Sequence, residues 1–447
     1  MELTRALRLD HPGRAPCVAF IGAGGKTTAM FRAAGGLPSA LLTCTAHLAV
    51  EQLSLADDHF FEADIADIEN LPASRTLVTG PVDGAAGRIL GVSSETLKRL
   101  HALSKARRTP LFIEADGARH FPVKAPALHE PPIPEFADTV VVVAGLSALG
   151  QPLTPETVHR PQIFADLAGL RPGERITPET LARVLLHPRG GLKNIPAGAR
   201  RVALLNQADT PELQALARRM AATLLPVYDA VLIGRLQPAG EDAADFHPPV
   251  FAVHEPIAAV VLAAGSSQRF GRPKQLLAWR GRPLVWHAAR RAVEAGLHPV
   301  TVVCGDECAQ IRRALRDLPV VVVHNPDWTQ GQSTSVRAGL EAVSAQSGGI
   351  LFLLADQPQI PVLLLRFLVE EHARTLAPII GPLFDGRRGN PVLFDALTFD
   401  DLRHLTGDTG GRALFSRYPP RWISWLDERP RLDIDTPDDY RRLLEME

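Results

Sequence analysis

Residues 260–277 read V-V-L-A-A-G-S-S-Q-R-F-G-R-P-K-Q-L-L. An apolar run of strand length breaks into a loop of small residues that carries Arg269 and Lys274, and an apolar pair follows. Small residues at a strand-to-loop turn let backbone N–H groups come close to a phosphate chain. A guanidinium and an ammonium at the far end of the loop can neutralise that chain, one as a bidentate fork and one as a point charge. Leu262, Ala263, Ala264, Gly265 and Ser266 are therefore candidates to cradle a nucleotide, with Arg269 and Lys274 on its phosphates. A chain organised around such a turn alternates strands with helices and binds at the C-terminal ends of parallel strands.

The residues downstream continue the pattern. Residues 283–293 have helical apolar spacing with proline in the first turn. Residues 299–304 and 320–323 read as strands with a helix over 308–316 between them, which predicts a doubly wound sheet. Gly331, Ser333 and Ser335 precede an amphipathic helix. Either serine could cap it, or its free N–H groups could meet a base and ribose. Residues 350–358, I-L-F-L-L-A-D-Q-P, are an apolar strand that ends at one carboxylate, Asp356, and is stopped by a proline. A lone acid there is costly unless hydrogen bonds or a cation meet it. Mg²⁺ on an α-phosphate would supply the cation, and helix capping is the other reading. In L-D-I-D-T-P-D-D-Y, residues 432–440, Asp433 and Asp435 alternate onto one face. Asp435 is the expected second Mg²⁺ ligand, and Thr436 suits the cap of a last helix.

The first half carries a second phosphate-loop pattern. A β-prone run at 17–21 leads into G-A-G-G-K-T and a helix-compatible stretch. Gly22, Gly24 and Gly25 would wrap phosphates, Lys26 would reach the terminal ones and Thr27 would ligate Mg²⁺. Phe20 stands where the first glycine of G-x-x-x-x-G-K-[ST] belongs, so the loop is a shorter form. Residues 40–45 and 139–145 read as strands. Residues 109–118 read as a strand ending in Glu114 and Asp116, either of which could hold Mg²⁺. Residues 201–205 run into Asn206-Gln207-Ala208-Asp209. The prolines of 119–134 and 158–161 predict a stiff loop or lid without regular structure. Residues 238–249 have no periodicity and read as a linker, dividing the chain near 250 into domains 1–250 and 251–447.

Composition narrows the class. The 447 residues have a formal net charge of −1, which gives no electrostatic footprint for nucleic acid or an anionic membrane. No apolar run reaches the roughly 18 residues of a membrane span, and the first residues lack a signal-peptide pattern. The expectation is a cytoplasmic protein. Cys17, Cys44, Cys304 and Cys308 are too few and scattered for a disulfide framework and read as ordinary thiols.

The loop L-A-A-G-x-S-x-R-x-G-x-x-K-x-L-L resembles the signature of the MobA-like nucleotidyltransferases, and Ala264 is similar to the branch of molybdenum cofactor cytidylyltransferases. The resemblance continues in N-x-x-W-x-x-G-x-x-x-S, in L-x-D-x-P at Asp356, in G-x-R-G-N-P-V-L, in G-D-x-G-x-R and in D-I-D-T-P-x-D. It implies that Arg269, Lys274 and Asp356 are catalytic, that Gly331 and Ser335 contact the nucleotide, and that Arg388, Asn390, Asp408 and Arg412 hold the acceptor. In the first half, G-A-G-G-K-T, E-A-D-G-A-R, K-A-P, H-E-P-x-I-P and H-R-P resemble the YqeC-like family, implicated in maturing selenium-dependent molybdenum hydroxylases. That likeness adds Lys124 and His159 to Lys26, Thr27, Glu114 and Asp116. N-Q-A-D resembles the base-reading N-K-x-D element of GTPases, which adds Asn206 and Asp209 to a site for ATP or GTP.

Together these resemblances imply two α/β domains. The first is a P-loop-like, mostly parallel sheet; the second is a doubly wound, Rossmann-like nucleotidyltransferase domain of the nucleotide-diphospho-sugar transferase type. The implied chemistry is Mg²⁺-dependent transfer of CMP from CTP to the phosphate of molybdopterin or its molybdenum-loaded form, with an apo molybdenum hydroxylase as a possible partner. Alternatives are a non-catalytic cofactor carrier, the same transfer with GTP or onto another acceptor such as a sugar phosphate, and a GTPase switch in the first half.

Overall fold

The computed structural model describes residues 1–447 except 11–14, 85–86, 118–119, 238–247, 266–269, 344–346, 428 and 447. Ser266 and Arg269 thus lie outside the described residues. The chain forms two compact units, Met1–His254 and Glu255–Glu447, both α/β.

The first unit is built on a nine-stranded sheet. In chain order its strands are β1 (Cys17–Gly22), β2 (Ala40–Cys44), β3 (Asp58–Phe61), β4 (Arg75–Thr79), β5 (Leu111–Glu114), β6 (Thr139–Gly145), β7 (Arg200–Asn206), β8 (Ala230–Gly234) and β9 (Val250–His254). They lie in the order β9-β8-β7-β6-β1-β5-β2-β4-β3. Every pairing is parallel except that of β9, which runs antiparallel along β8. Its central strands are apolar runs buried at nearly every position, as parallel sheets require. The helices used below are α1 (Lys26–Gly35), α2 (Pro161–Ala168) and α3 (Pro211–Leu224).

Two expectations need correction here. The proline-rich segment does contain regular structure. Val123 and Lys124 pair in parallel with Val158 and His159, and Pro161 opens α2, where its missing N–H would have no helical partner anyway. Strand β5 stops at Glu114, so Asp116 lies beyond it and strand alternation does not decide where its carboxylate goes.

The second unit has strands β10 (Ile257–Ala263), β11 (Val300–Cys304), β12 (Val321–His324), β13 (Gly349–Leu354), β14 (Ile379–Phe384), β15 (Arg387–Arg388), β16 (Val392–Asp395) and β17 (Arg421–Trp425). The order is β12-β11-β10-β13-β16-β14-β15, with β17 parallel on β14. From β12 to β13 the sheet is parallel; β16 then runs antiparallel to both neighbours. Its helices include α4 (Leu284–Glu294), α5 (Cys308–Ala314), α6 (Gln332–Ala342) and α7 (Pro437–Glu445). Side-chain alternation explains why both faces are covered. Val261, Val302 and Leu353 pack with Ala289 and Ile311, whereas Val260, Val303 and Phe352 pack with Val336 and Leu340.

The thiol expectation is half right. Cys17 and Cys44 are free and buried, but Cys304 and Cys308 form a disulfide. Cys304 ends β11 and Cys308 opens α5, and the short turn between them sets their Cα atoms 5.3 Å apart, within disulfide range. Among the described residues, no helix is long and apolar enough to cross a membrane.

Candidate functional site

Two parallel neighbours build the site of the second unit. Leu262 of β10 pairs with Leu354 of β13, and the N–H of Ala355 donates to the Leu262 carbonyl at 3.1 Å. The loop that begins at Ala264 and Gly265 therefore leaves the sheet beside Asp356. Lys274, at the return of that loop, donates to Asp356 Oδ2 at 2.5 Å and to Asp435 Oδ1 at 2.7 Å. Ile434 explains how Asp435 arrives: its side chain is fully buried with Leu277, Trp279 and Leu284, and its N–H donates to the Asp356 carbonyl at 3.3 Å. Thr436 caps α7 through a reciprocal pair with Asp439, which anchors the segment from the other side.

The electrostatics of this cluster are strained. Burial opposes the Lys274 ammonium, yet Asp356 and Asp435 hold its pKa above the ordinary lysine value. Asp433, two residues before Asp435 in a segment that forms no strand, accepts from Gln357 Nε2. Burial, then the nearby Asp356, pushes its carboxyl up to about 6. Asp356 Oδ1 is buried and, among the described residues, has no hydrogen-bond partner. Gln357 and Asp433 were not singled out as site residues, and only their closeness in sequence to Asp356 and Asp435 hinted at them.

The other expected residues of this unit fall in two places. Gly331 has φ +114°, and a Cβ there would lie 2.6 Å from the backbone of Gly407, so the 405–411 loop crosses directly over it. Asp408 Oδ1 accepts from the Gln332 N–H at 3.3 Å, which puts this expected acceptor ligand on the first turn of α6. Neither serine caps that helix, whose cap residue is Gly331. Ser335 is buried and accepts from Asn325 Nδ2 at 3.0 Å. Ser333 is buried, and its hydroxyl has no partner among the described residues. Arg388 is exposed on β15 and stacks over Trp422 at 5.3 Å; Arg412 is exposed, and Asn390 precedes a cis proline.

The first unit holds a cleft of about 880 Å³. Gly24, Gly25, Lys26, Thr27, Glu114, His159, Asn206 and Asp209 line it, as do Glu130 and Arg160. Thr27 donates to Glu114 Oε2 at 2.6 Å, and Lys26 Nζ lies 3.8 Å from Glu114 Oε1. Burial drives the Lys26 pKa down and the Glu114 pKa up, the mark of charges drawn out of water. The glycine loop is only partly open to a ligand. Ala23 N–H donates to Val143 O and Gly24 N–H to Phe121 O, each at 2.9 Å. The N-terminal turn of α1, whose first N–H groups have no partner within the helix, is the part of this motif left able to meet an anion. Gly25 has φ +115°, and a Cβ there would meet Asn206 Nδ2 at 2.5 Å.

Asp116 and Lys124 lie elsewhere than the expectation put them. Asp116 Oδ2 accepts from the Gly22 N–H at 3.2 Å, and its other oxygen accepts from Lys124. Lys124, almost wholly buried, also donates to Gly117 O at 2.7 Å and to Glu130 Oε2 at 2.8 Å. Glu130 in turn receives both guanidinium N–H groups of Arg160 at 2.6 Å. This chain ties the glycine loop to the cleft wall and excludes Lys124 from the cleft lining. Sequence reading had also passed over His47 and Arg88, which line the cleft from a small antiparallel sheet. Neither sits in a recognisable motif.

The geometry can be set beside known proteins. A family model described as the MobA-like NTP transferase domain matches residues 259–422, and one described as YqeC protein matches residues 18–162. The uncharacterized protein YqeC of Escherichia coli (strain K12) is 31% identical over 237 residues, covering 50% of this chain and 89% of that protein. Nicotine blue oxidoreductase of Paenarthrobacter nicotinovorans is 34% identical over 199 residues, covering 42% of this chain and 96% of the relative. Molybdenum cofactor cytidylyltransferase of Escherichia coli (strain K12) is 27% identical, covering 40% and 92% respectively.

Proposed function

Since the chain belongs to the YqeC family through its first half and to the MobA-like NTP transferase family through its second, we propose that the second half transfers CMP from CTP to the phosphate of molybdopterin or its molybdenum-loaded form. Residues 251–447 are the transferase domain in this reading. Residues 1–250 are a nucleotide-binding accessory domain serving the maturation of molybdenum hydroxylases, selenium-dependent ones included. The observation that carries the proposal is the convergence of Asp356 and Asp435 on Lys274, with one buried Asp356 oxygen left without a donor among the described residues.

Mg²⁺ fits this donor set. Two carboxylates offer hard oxygen ligands, and among the described residues Asp356 Oδ1 is an acceptor with nothing to accept. Among the described residues no cluster of three or more His, Cys, Asp or Glu is placed to hold a metal, so water and substrate phosphates would complete the shell. Asp356 and Asp435 would hold the ion, which neutralises charge building on the α-phosphate and pyrophosphate. Lys274 exchanges its carboxylate partners for the triphosphate. A phosphate oxygen of the acceptor attacks the α-phosphorus in line as the bond to pyrophosphate breaks, and an anionic nucleophile needs no general base. Positioning therefore carries most of the rate. Arg388, Asn390, Asp408 and Arg412 orient the acceptor, and Gly331 and Ser335 place the nucleotide.

The names of the relatives include both a nucleotidyl transfer and an oxidoreduction. The acid pair and lysine favour phosphorus chemistry, because they suit a metal–polyphosphate rather than a hydride or electron. The test is pyrophosphate release by the full chain with Mg²⁺, purified molybdopterin and each NTP in turn. Release that requires both CTP and molybdopterin is the expected result. Preference for GTP, or for a sugar phosphate, would reassign the substrate. A chain that binds molybdopterin but releases no pyrophosphate with any NTP is a carrier.

A further inference from the structure

In the cleft of the first unit we propose a second anion subsite, where His47, Arg88 and Gln52 hold a phosphate group that does not belong to the nucleotide. The inference rests on the reading of that cleft as a nucleotide site and adds a second ligand to it. The cleft lining reaches from His47, just past the end of β2, to Arg235, the residue after β8. Those strands are separated by β5, β1, β6 and β7, which makes about 24 Å at the usual strand spacing. The glycine loop leaves β1, between the two ends. A nucleotide with its phosphates at the start of α1 extends toward one end and leaves the other open.

The pairing of the small antiparallel sheet explains why the β2 end carries cations. Leu48 and Ile89 pair directly and are buried, so alternation sends His47, Ala49, Arg88 and Leu90 to the opposite face. The sheet is fixed over the ends of the main strands. The Gly80 N–H donates to Leu90 O at 3.0 Å, the Val92 N–H to Cys44 O at 3.1 Å and the Thr45 N–H to Glu114 O at 3.0 Å. Glu114 ends β5, the strand between β1 and β2. Lys26 and the first turn of α1 thus follow the strand on one side of it, and His47 the strand on the other.

The carboxylates nearest this end already have partners. Glu114 accepts from Thr27 beside Lys26, and Glu130 accepts from Arg160 and Lys124. Among the described residues His47 and Arg88 make no ion pair or side-chain hydrogen bond. Asp83, opposite Arg88 across the ladder, does not line the cleft. Gln52 Oε1 accepts from the Ala49 N–H at 2.9 Å, which leaves its NH₂ group as a donor. A guanidinium, an imidazole and an amide NH₂ along one wall call for an anion with several oxygens. A carboxylate is satisfied by the guanidinium fork alone, whereas a phosphate has oxygens left for the other two groups. The nucleotide's phosphates and this second phosphate then lie on opposite sides of Glu114.

The experiment measures binding of radiolabelled inorganic phosphate to the full chain by equilibrium dialysis. Mg²⁺ and saturating β,γ-imido analogues of ATP and GTP are present, so that the nucleotide's own phosphate positions are filled. The expected result is a phosphate site that Arg88→Gln weakens by about tenfold or more, the scale of one charge-assisted hydrogen bond. His47→Gln should weaken it less, and Arg88→Lys should keep part of the affinity. Displacement by ribose 5-phosphate would identify the ligand as a phosphomonoester, and binding of the free ion alone would identify it as inorganic phosphate. A phosphate signal that ignores Arg88→Gln overturns the subsite. So does a fall in analogue affinity as large as the fall for phosphate, since Arg88 would then be a ligand of the nucleotide itself. If neither analogue binds in a manner that Lys26→Ala abolishes, the nucleotide reading of the cleft fails instead.

Discussion

Replacing Asp356 by alanine is expected to lower CTP-dependent pyrophosphate release by about 10²–10³-fold or more, the loss that follows removal of one preorganised electrostatic group, while the second unit stays folded. The reason lies in how the group is held. Asp356 follows the wholly apolar β13, whose pairing with β10 fixes its backbone, and among the described residues one of its oxygens meets only Lys274. Truncation therefore removes no core contact of the strand itself. It does leave the Lys274 ammonium with Asp435, which is about half exposed and can share it with water. The five tryptophans all lie in the second unit, so their fluorescence reports whether that unit survives. Asp356→Asn keeps the shape and removes the charge; it should be nearly as inactive. Near-normal release by either folded variant would end the metal-ligand assignment.

Lys124→Met is expected to destabilise the first unit by about 3–5 kcal/mol, the usual cost of removing one partner from a buried ion pair. Lys124 is enclosed by Asp116, Glu130 and the Gly117 carbonyl, and its loss strands the buried Asp116 carboxylate, whereas Glu130 keeps Arg160. Urea unfolding followed by far-UV circular dichroism would show an early transition. Tryptophan fluorescence, confined to the second unit, should not follow it. A wild-type curve would mean that the network contributes no stability.

The same network sets an acid limit. Burial works against the charged form of Glu130, but Arg160 and Lys124 outweigh it and bring its carboxyl down to about 2. A carboxyl whose folded pKa is depressed contributes stability that is fully present above the unfolded value, about 4.3 for glutamate. That contribution fades as pH falls from there toward 2.

Much of this architecture is legible in the chain because it depends on local pattern. The apolar runs of β1, β6, β10 and β13 each end in a chemically marked turn, so strand, glycine loop and lone acid declare themselves together. The pairing of Lys274 with Asp356 and Asp435 is less visible, since it depends on which strands become neighbours. Asp116 was misplaced for a related reason. Alternation along a strand says nothing once the strand has stopped at Glu114. Lys124 sits in a proline-rich stretch where no periodicity reports burial, and its partners Glu130 and Arg160 only meet across a short parallel ladder. The disulfide was missed because spacing alone does not tell that a strand end and a helix start turn back on each other within three residues. Ser333 and Ser335 looked like caps because they stand only two and four positions past Gly331, the residue that caps the helix.

Strand β9 bears on how the halves can be studied apart. Its residues Val250, Ala252 and Val253 are buried along β8, and only Glu255 and Pro256 separate it from β10. A split made in the unpatterned stretch before residue 250 would strip the first half of its border strand. The row of N–H and C=O groups on β8 would then be bare, an invitation to edge-to-edge association. The other half would carry a spare apolar ribbon with nothing to zip onto. Insolubility of fragments cut there would say nothing about whether each half folds alone; expression trials should place the scissors after His254.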